Sequence, residues 1–235
     1  DTKEEEYEPY KLVAKKTLIL SDIHFQFHSI PAMEAALNHG KKGDYDAILL
    51  NGDVMDFHGL SKFLKDPKKK SFSEELDMFR QFADMIKVEF PKAKLYYKLG
   101  NHDERYQHFL WMKSKELDGV PEFDFENILQ ARSKGITVIS DKRIILINDF
   151  AIMHGHEFAG AGYSPVSPAR SLFNRAVRDS AQGHNHQTSE SRKSVMGGRQ
   201  IITYSMGCLC GLTPQWMPNN NHNHGFGEIE ADING

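Results

Sequence analysis

The sequence predicts an α/β chain with mixed strand pairing. Three observations carry that prediction: apolar runs alternate with a helix in the first half, apolar runs lie back to back in the second, and 235 residues suffice for one sizeable core. Five runs rich in β-branched or aromatic residues read as strands: Thr17 to Leu20, Ala47 to Leu50, Leu95 to Leu99, Ile144 to Ile147 and Phe150 to Met153. Between the second and third, Leu76, Phe79, Phe82, Ala83 and Ile86 recur at helical spacing, with Ser71 and Glu74 as a capping box and Pro91 as the stop. A second helix is expected over Glu104 to Glu116 and a third from Pro168 to Arg178, after the loop Ser164 to Ser167. Strand, helix, strand alternation implies parallel pairing in the first half. The runs around Asn148-Asp149, then Ile201 to Tyr204 and Glu228 to Ala231, read as antiparallel hairpins. The segment Pro218 to Gly225 reads as an exposed loop.

We expect residues 1–15 to form an acidic N-terminal extension and residues 16–235 a single domain. No apolar run reaches the roughly 18 residues needed to cross a bilayer, and the acidic start DTKEEEYEPYK is unlike a signal peptide, so a soluble, cytoplasmic protein without membrane partners is expected. What precedes Asp1 is left open, as is the oligomeric state. The two cysteines, Cys208 and Cys210, are too close along an extended segment to bridge without strain; they read as small buried strand residues of a reducing compartment. A net charge of −3 gives no global attraction to nucleic acid, so any polyanion must be drawn by a local patch.

The 12 histidines are the informative feature, because several sit in short clusters where apolar strands stop. TLIL runs into Ser21-Asp22-Ile23-His24, AILL into Asn51-Gly52-Asp53, LYYKL into Gly100-Asn101-His102-Asp103, and FAIM into His154-Gly155-His156; Gly183-His184-Asn185-His186 follows the last helix. In an open α/β sheet the carboxyl ends of the strands face one crevice, so these clusters should converge. Carboxylates from Asp22 and Asp53, imidazoles from His24, His154, His184 and His186, and the Asn101 amide oxygen form a mixed nitrogen and oxygen donor set. Such donors suit manganese, iron, zinc, cobalt or nickel better than calcium. Seven ligands exceed one zinc but fit two divalent ions if Asp53 bridges them, and the resulting positive centre favours a phosphate oxyanion.

The ordered set of D-x-H (Asp22, His24), G-D-x-x-D (Gly52, Asp53, Asp56), G-N-H-D (Gly100 to Asp103), H-G-H (His154 to His156) and G-H-x-H (Gly183 to His186) resembles the calcineurin-like metallophosphoesterases. The resemblance implies a four-layer α-β-β-α sandwich of two mixed β-sheets flanked by helices. It also implies that Asp22, His24, Asp53 and His186 hold one metal and Asp53, Asn101, His154 and His184 the other, with manganese as the leading choice. Hydroxide held between the ions would then attack phosphorus. His102 would stabilise the transition state or protonate the leaving oxygen, with Asp103 holding its ring. Asp56 and His156 would orient ligands from behind.

Serine/threonine protein phosphatases of this superfamily carry an arginine in G-D-x-V-D-R-G and end the third motif in glutamate. Here Gly52-Asp53-Val54-Met55-Asp56-Phe57-His58 and Gly100-Asn101-His102-Asp103 stand instead, closer to bacterial and phage phosphodiesterases. The ending GCLCGL, Trp216 and HGFGEIE resembles phage-encoded members. The expected function is phosphodiester hydrolysis in DNA, RNA or nucleotides. The alternatives are a small-molecule phosphomonoesterase and a non-catalytic binding module of this fold. Candidate backbone contacts are Arg170, Arg175 and Arg178, then Lys62, Lys65 and Lys68 to Lys70. Phe57, Phe63, Trp111 and Trp216 could stack bases, His28, His58, His222 and His224 could border the substrate, and His39 and His108 read as surface residues.

Overall fold

The computed structural model describes residues 7–62, 68–140, 142–158 and 165–232. Strand β1 (Tyr10–Lys11) leads into β2 (Lys16–Leu20), helix α1 (Ile30–Gly40) and β3 (Ala47–Asn51). Helix α2 (Phe72–Glu89), β4 (Lys94–Lys98), helix α3 (Arg105–Lys113), the short α4 (Phe125–Ile128) and β5 (Ile136–Ile139) follow. The second half runs β6 (Ile145–Ile147), β7 (Phe150–Met153), helix α5 (Pro168–Ala176), β8 (Ser180–Gln182), β9 (Thr188–Ser194), β10 (Gln200–Met206) and β11 (Gly227–Glu230).

Two sheets result. One has the order β11-β2-β3-β4-β5, with β2 to β5 mutually parallel and β11 antiparallel to β2. The other has the order β1-β6-β7-β8-β10-β9, in which β7, β8 and β10 are parallel neighbours, β9 runs against β10, and β6 runs against β7 but parallel to β1. Period-2 alternation explains how one strand serves two layers. In β2, Leu18 and Leu20 join a core with Met33, Ala36 and Leu37 of α1 and Leu76, Phe79, Ala83 and Ile86 of α2. The intervening Ile19 faces the other sheet, packing in one cluster with Leu49, Tyr96, Ile147, Ile152, Ala181 and Met206. On the far face of the second sheet, Ala151 and Met153 pack against Leu172 of α5. Helices, sheet, sheet and helix make the four-layer sandwich.

Three expectations differ from this arrangement. Residues 10–14 are not an extension: Tyr10 and Lys11 pair with Ile145 and Leu146, and Leu12 and Ala14 are buried between the sheets. Glu228 to Ala231 does not close a hairpin with its sequence neighbour, because the chain crosses over and β11 pairs with β2 in the first sheet. The cysteines are buried but outside strands, in isolated bridges with His224 and His28. Helix α2 matches its sequence signature: the Ser71 hydroxyl accepts from the Glu74 amide, and the Glu74 carboxylate accepts from the Ser71 amide at 2.7 Å. Among the described residues, no helix is long and apolar enough to cross a membrane.

Candidate metal centre

Because β2, β3 and β4 are parallel, their carboxyl ends deliver Asp22 and His24, Asp53 and Asp56, and Asn101 to Asp103 to one rim. Strands β7 and β8 are parallel too, and deliver His154, His184 and His186 from the second sheet. The loops are braced side by side: the Asp22 amide donates to the Gly52 carbonyl at 3.1 Å and the His24 amide to the Asp53 carbonyl at 2.9 Å. The turns are sharp. Asp22, His24, Asp53, His184 and His186 all have positive φ, between 48° and 68°, a region that L side chains occupy only under constraint. Gly100 and Gly183 have no room for a side chain, since a Cβ would collide with Asp53 at the first and with Ser21 and Asp22 at the second.

Asp22, His24, Asp53, His154, His184 and His186 gather here, and Asn101 follows Gly100 at the end of β4. His186 Nε2 lies 3.3 Å from Asp22 Oδ1 and 3.2 Å from His24 Nε2, and His24 Nε2 is 3.7 Å from Asp53 Oδ2. On the other side of Asp53, His154 Nε2 lies 3.3 Å from the same Oδ2, and Asp53, His154 and His184 can share one ion. Asn101 Oδ1 and His154 Nε2 are buried with no hydrogen-bond partner, which is costly for polar atoms unless a cation completes them. The donor set therefore fits two ions with Asp53 between them. Asp22, His24, Asp53 and His186 of one expected half lie together, as do Asp53, His154 and His184 of the other.

Electrostatics agree with that fit. Burial would raise the Asp22 carboxyl, but its bond to His186 and the neighbouring imidazoles bring it down to about 2. Burial likewise opposes the charge on Asp53, and His154, His102 and His24 outweigh it, leaving Asp53 ionised. Against its own burial, Asp53 raises the His154 imidazole to about 10, and Asp22 does the same for His186. Burial, with His154 beside it, drops His184 to about 4.

Behind the ligands lies a supporting layer. The Asp56 carboxylate accepts from His24 Nδ1 and His102 Nδ1, each at 3.1 Å, fixing both rings. His154 Nδ1 donates to the Asn51 carbonyl at 2.9 Å. His156 Nε2 sits 3.0 Å from Glu104 Oε1, with its ring 5.3 Å from that of His154. The Asp103 assignment is corrected: its carboxylate accepts from the amides of Asp53, Met55 and Gly100 and from the Tyr97 hydroxyl, so it braces the loop backbone while Asp56 holds the His102 ring.

Four residues that the sequence reading passed over belong to this layer. Arg105 places one nitrogen 2.8 Å from the Asp56 carbonyl and another 3.0 Å from His102 Nε2. Glu75 accepts the Asp56 and Phe57 amides. The buried pair Lys98 and Glu157, 2.8 Å apart, lets Glu157 accept the His154 and Gly155 amides. Only Lys98 left a signal, a charge inside the run LYYKL. Cys210 also approaches the site, its Sγ 3.7 Å from His186 Nδ1, on the side of the ring turned away from Asp22.

The arginine contacts fare differently. Arg178 donates to the Asp149 carbonyl in the β6–β7 turn, at the opposite end of β7 from His154, and is corrected to a structural role. Arg175 is folded onto Ser171 of its own helix and over the Phe158 ring, and Arg170 is exposed on α5. Phe57 is fully buried among Phe72, Tyr106 and Phe125, so it stacks no base. Trp111 is bonded to Asp118 on α3, and His39 pairs with Glu228. His222 packs 4.8 Å from His186, and His58 and Trp216 line a groove beside the centre. Phe63 and Lys65 lie outside the described residues.

A family model described as calcineurin-like phosphoesterase matches residues 15–202. The chain belongs to that family. Calcineurin-like phosphoesterases use a dinuclear metal centre, and the clustered Asp and His residues above are the groups here that could hold one. Gene 54 protein of Mycobacterium phage L5 is 23% identical over 205 residues, covering 83% of this chain and 78% of that protein. Among solved structures, a single mutant of Vps29 from Entamoeba histolytica matches at 15% identity and TM-score 0.45 over 92% of this chain and 86% of its own. Vacuolar Protein Sorting 29 from Cryptosporidium parvum matches at 15% identity and TM-score 0.42, over 91% and 83%.

Proposed function

We propose that this phosphoesterase is a dinuclear-metal-dependent hydrolase of phosphodiester bonds in nucleic acid or nucleotides, working with two divalent ions, manganese first among them. The observation that carries the reading is that the imidazole nitrogens of His24 and His154 both approach Asp53 Oδ2, at 3.7 Å and 3.3 Å, with His184 in reach of the same group. When bound, the ions supply positive charge for the phosphoryl oxygens and make hydroxide available from water near neutral pH. The chain's own residues do the rest. Asp53 Oδ1 accepts the His102 amide at 2.8 Å, which fixes where the His102 backbone sits relative to the centre. With His102 Nδ1 donating to ionised Asp56, Nε2 is left to accept from Arg105. The guanidinium thus presents a cationic edge where charge develops on the ester; once Arg105 turns to the phosphate, His102 Nε2 can take up a proton from water and, as an imidazolium held by Asp56, pass it to the leaving oxygen.

A phosphodiester is favoured over a protein phosphate by the absence of the arginine that protein phosphatases carry after the second aspartate of their motif; here Phe57 fills that position and is buried. Hydrolysis of bis(p-nitrophenyl) phosphate, compared with p-nitrophenyl phosphate and with or without added manganese, tests the reading, with Asp53→Asn as the blank. Metal-dependent cleavage of the diester in preference to the monoester is expected. Preference for the monoester points to the small-molecule phosphatase, and inertness toward both in every metal points to a binding module.

A further inference from the structure

A groove of about 320 Å³ opens directly beside His24 and His186 and leads away from the metal centre. Its walls are unusual for a site that needs only to grip phosphate. Phe27 and Trp216 contribute aromatic surface, His58 sits between Phe27 and Asp56, and Lys69 holds its ammonium 5.2 Å from the Phe27 ring centre. The Phe27 carbonyl accepts from the Gly211 amide, so the Phe27 loop is fixed to the segment that leads to Trp216. Trp216 is 65% exposed, a large apolar surface left in water at the mouth of a polar, cation-holding site.

We infer that this groove is a nucleobase subsite: an unpaired base of the substrate lies against Trp216 and Phe27 while its phosphate reaches the metal ligands His24 and His186. The inference rests on the phosphoesterase reading and names its substrate class. Three features favour a base over a sugar or an aliphatic alcohol. Aromatic faces stack on flat π systems, Lys69 adds a positive charge to the wall of the groove, and the volume matches one nucleoside, at the lower end of ligand pockets. A duplex is too wide for the groove, so the substrate presents a single-stranded end or a free nucleotide.

Two measurements test this. The first compares kcat/KM for thymidine 5′-(p-nitrophenyl phosphate) with that for methyl p-nitrophenyl phosphate, which share a leaving group and differ in the nucleoside. The wild type should prefer the nucleoside ester by about 10-fold or more. Trp216→Ala should bring kcat/KM for the nucleoside ester down to that for the methyl ester, and Trp216→Phe should keep most of the preference. The second needs no turnover. Trp111 and Trp216 are the only tryptophans, so in a Trp111→Phe background the fluorescence reports Trp216 alone. Adenosine 5′-monophosphate should quench it in metal-free protein and ribose 5-phosphate should not. Equal rates on both esters, a preference that survives Trp216→Ala, or quenching by neither or by both sugar phosphates overturns the subsite. Quenching without hydrolysis of either ester overturns the phosphoesterase reading and leaves the subsite standing.

Discussion

At the residue scale, His102 and Glu75 separate chemistry from support. His102 is no metal ligand in the division above, so His102→Ala should lower kcat by about 10²–10⁴-fold while metal content by elemental analysis stays at the wild-type level. Loss of metal in that variant would instead make His102 part of the cage. Glu75 is a buried carboxyl whose burial raises it from 4.5 to about 8, with Asp56 adding to the effect despite the two amides it accepts. Because the folded state binds this proton more tightly than the unfolded chain, its stabilising contribution is full below pH 4.5 and is lost as pH rises toward 8. Glu75→Gln keeps an acceptor for the two amides and removes the titration. Its unfolding free energy in denaturant should therefore overtake that of the wild type above pH 8, by on the order of a few kcal/mol, and an unchanged difference across pH 5–9 would refute this.

At the scale of elements, the helices and strands carry different kinds of information. The capping box at Ser71 and Glu74 is local, so Ser71→Ala should cost about 1 kcal/mol in denaturant unfolding without touching metal binding. For the same reason α2 was legible from sequence, as were β2, β3, β4, β6 and β7, whose apolar runs are long enough to betray their period. Helix α1 was not: Ser29 makes no side-chain cap, and Ile30 to Gly40 carries few large apolar residues. Strand β9 reads TSESRKS, a polar run that becomes a strand only because β10 offers it seven partners in register. The candidate metal ligands were legible because each cluster abuts a strand end. Arg105, Glu75 and Glu157 were not, since their roles depend on contacts across 18 or more residues of chain or, for Glu157, on a lysine in the other sheet.

For the whole molecule, the centre draws Asp22, Asp53 and Asn101 from one sheet and His154, His184 and His186 from the other. Ions bound there tie the two sheets at their rim, as the Lys98 and Glu157 pair already does. Metal at about 100 times its dissociation constant should add about 2.7 kcal/mol. That corresponds to roughly 5–10 °C in melting temperature for a domain of this size, reversed by a chelator and absent in Asp53→Asn. A melting curve indifferent to metal would mean that the sheets are already locked without it.

The left-handed backbone at five of the ligands bears on how the centre can be dissected. Alanine at Asp22, His24, Asp53, His184 or His186 would keep the left-handed cost of about 1–2 kcal/mol and lose the local polar contacts that offset part of it, so a conventional scan would mix a loosened turn with a vacant coordination position. Asparagine and glycine tolerate that region: asparagine at Asp22 or Asp53 removes the charge and keeps an oxygen donor, and glycine removes the donor without steric strain.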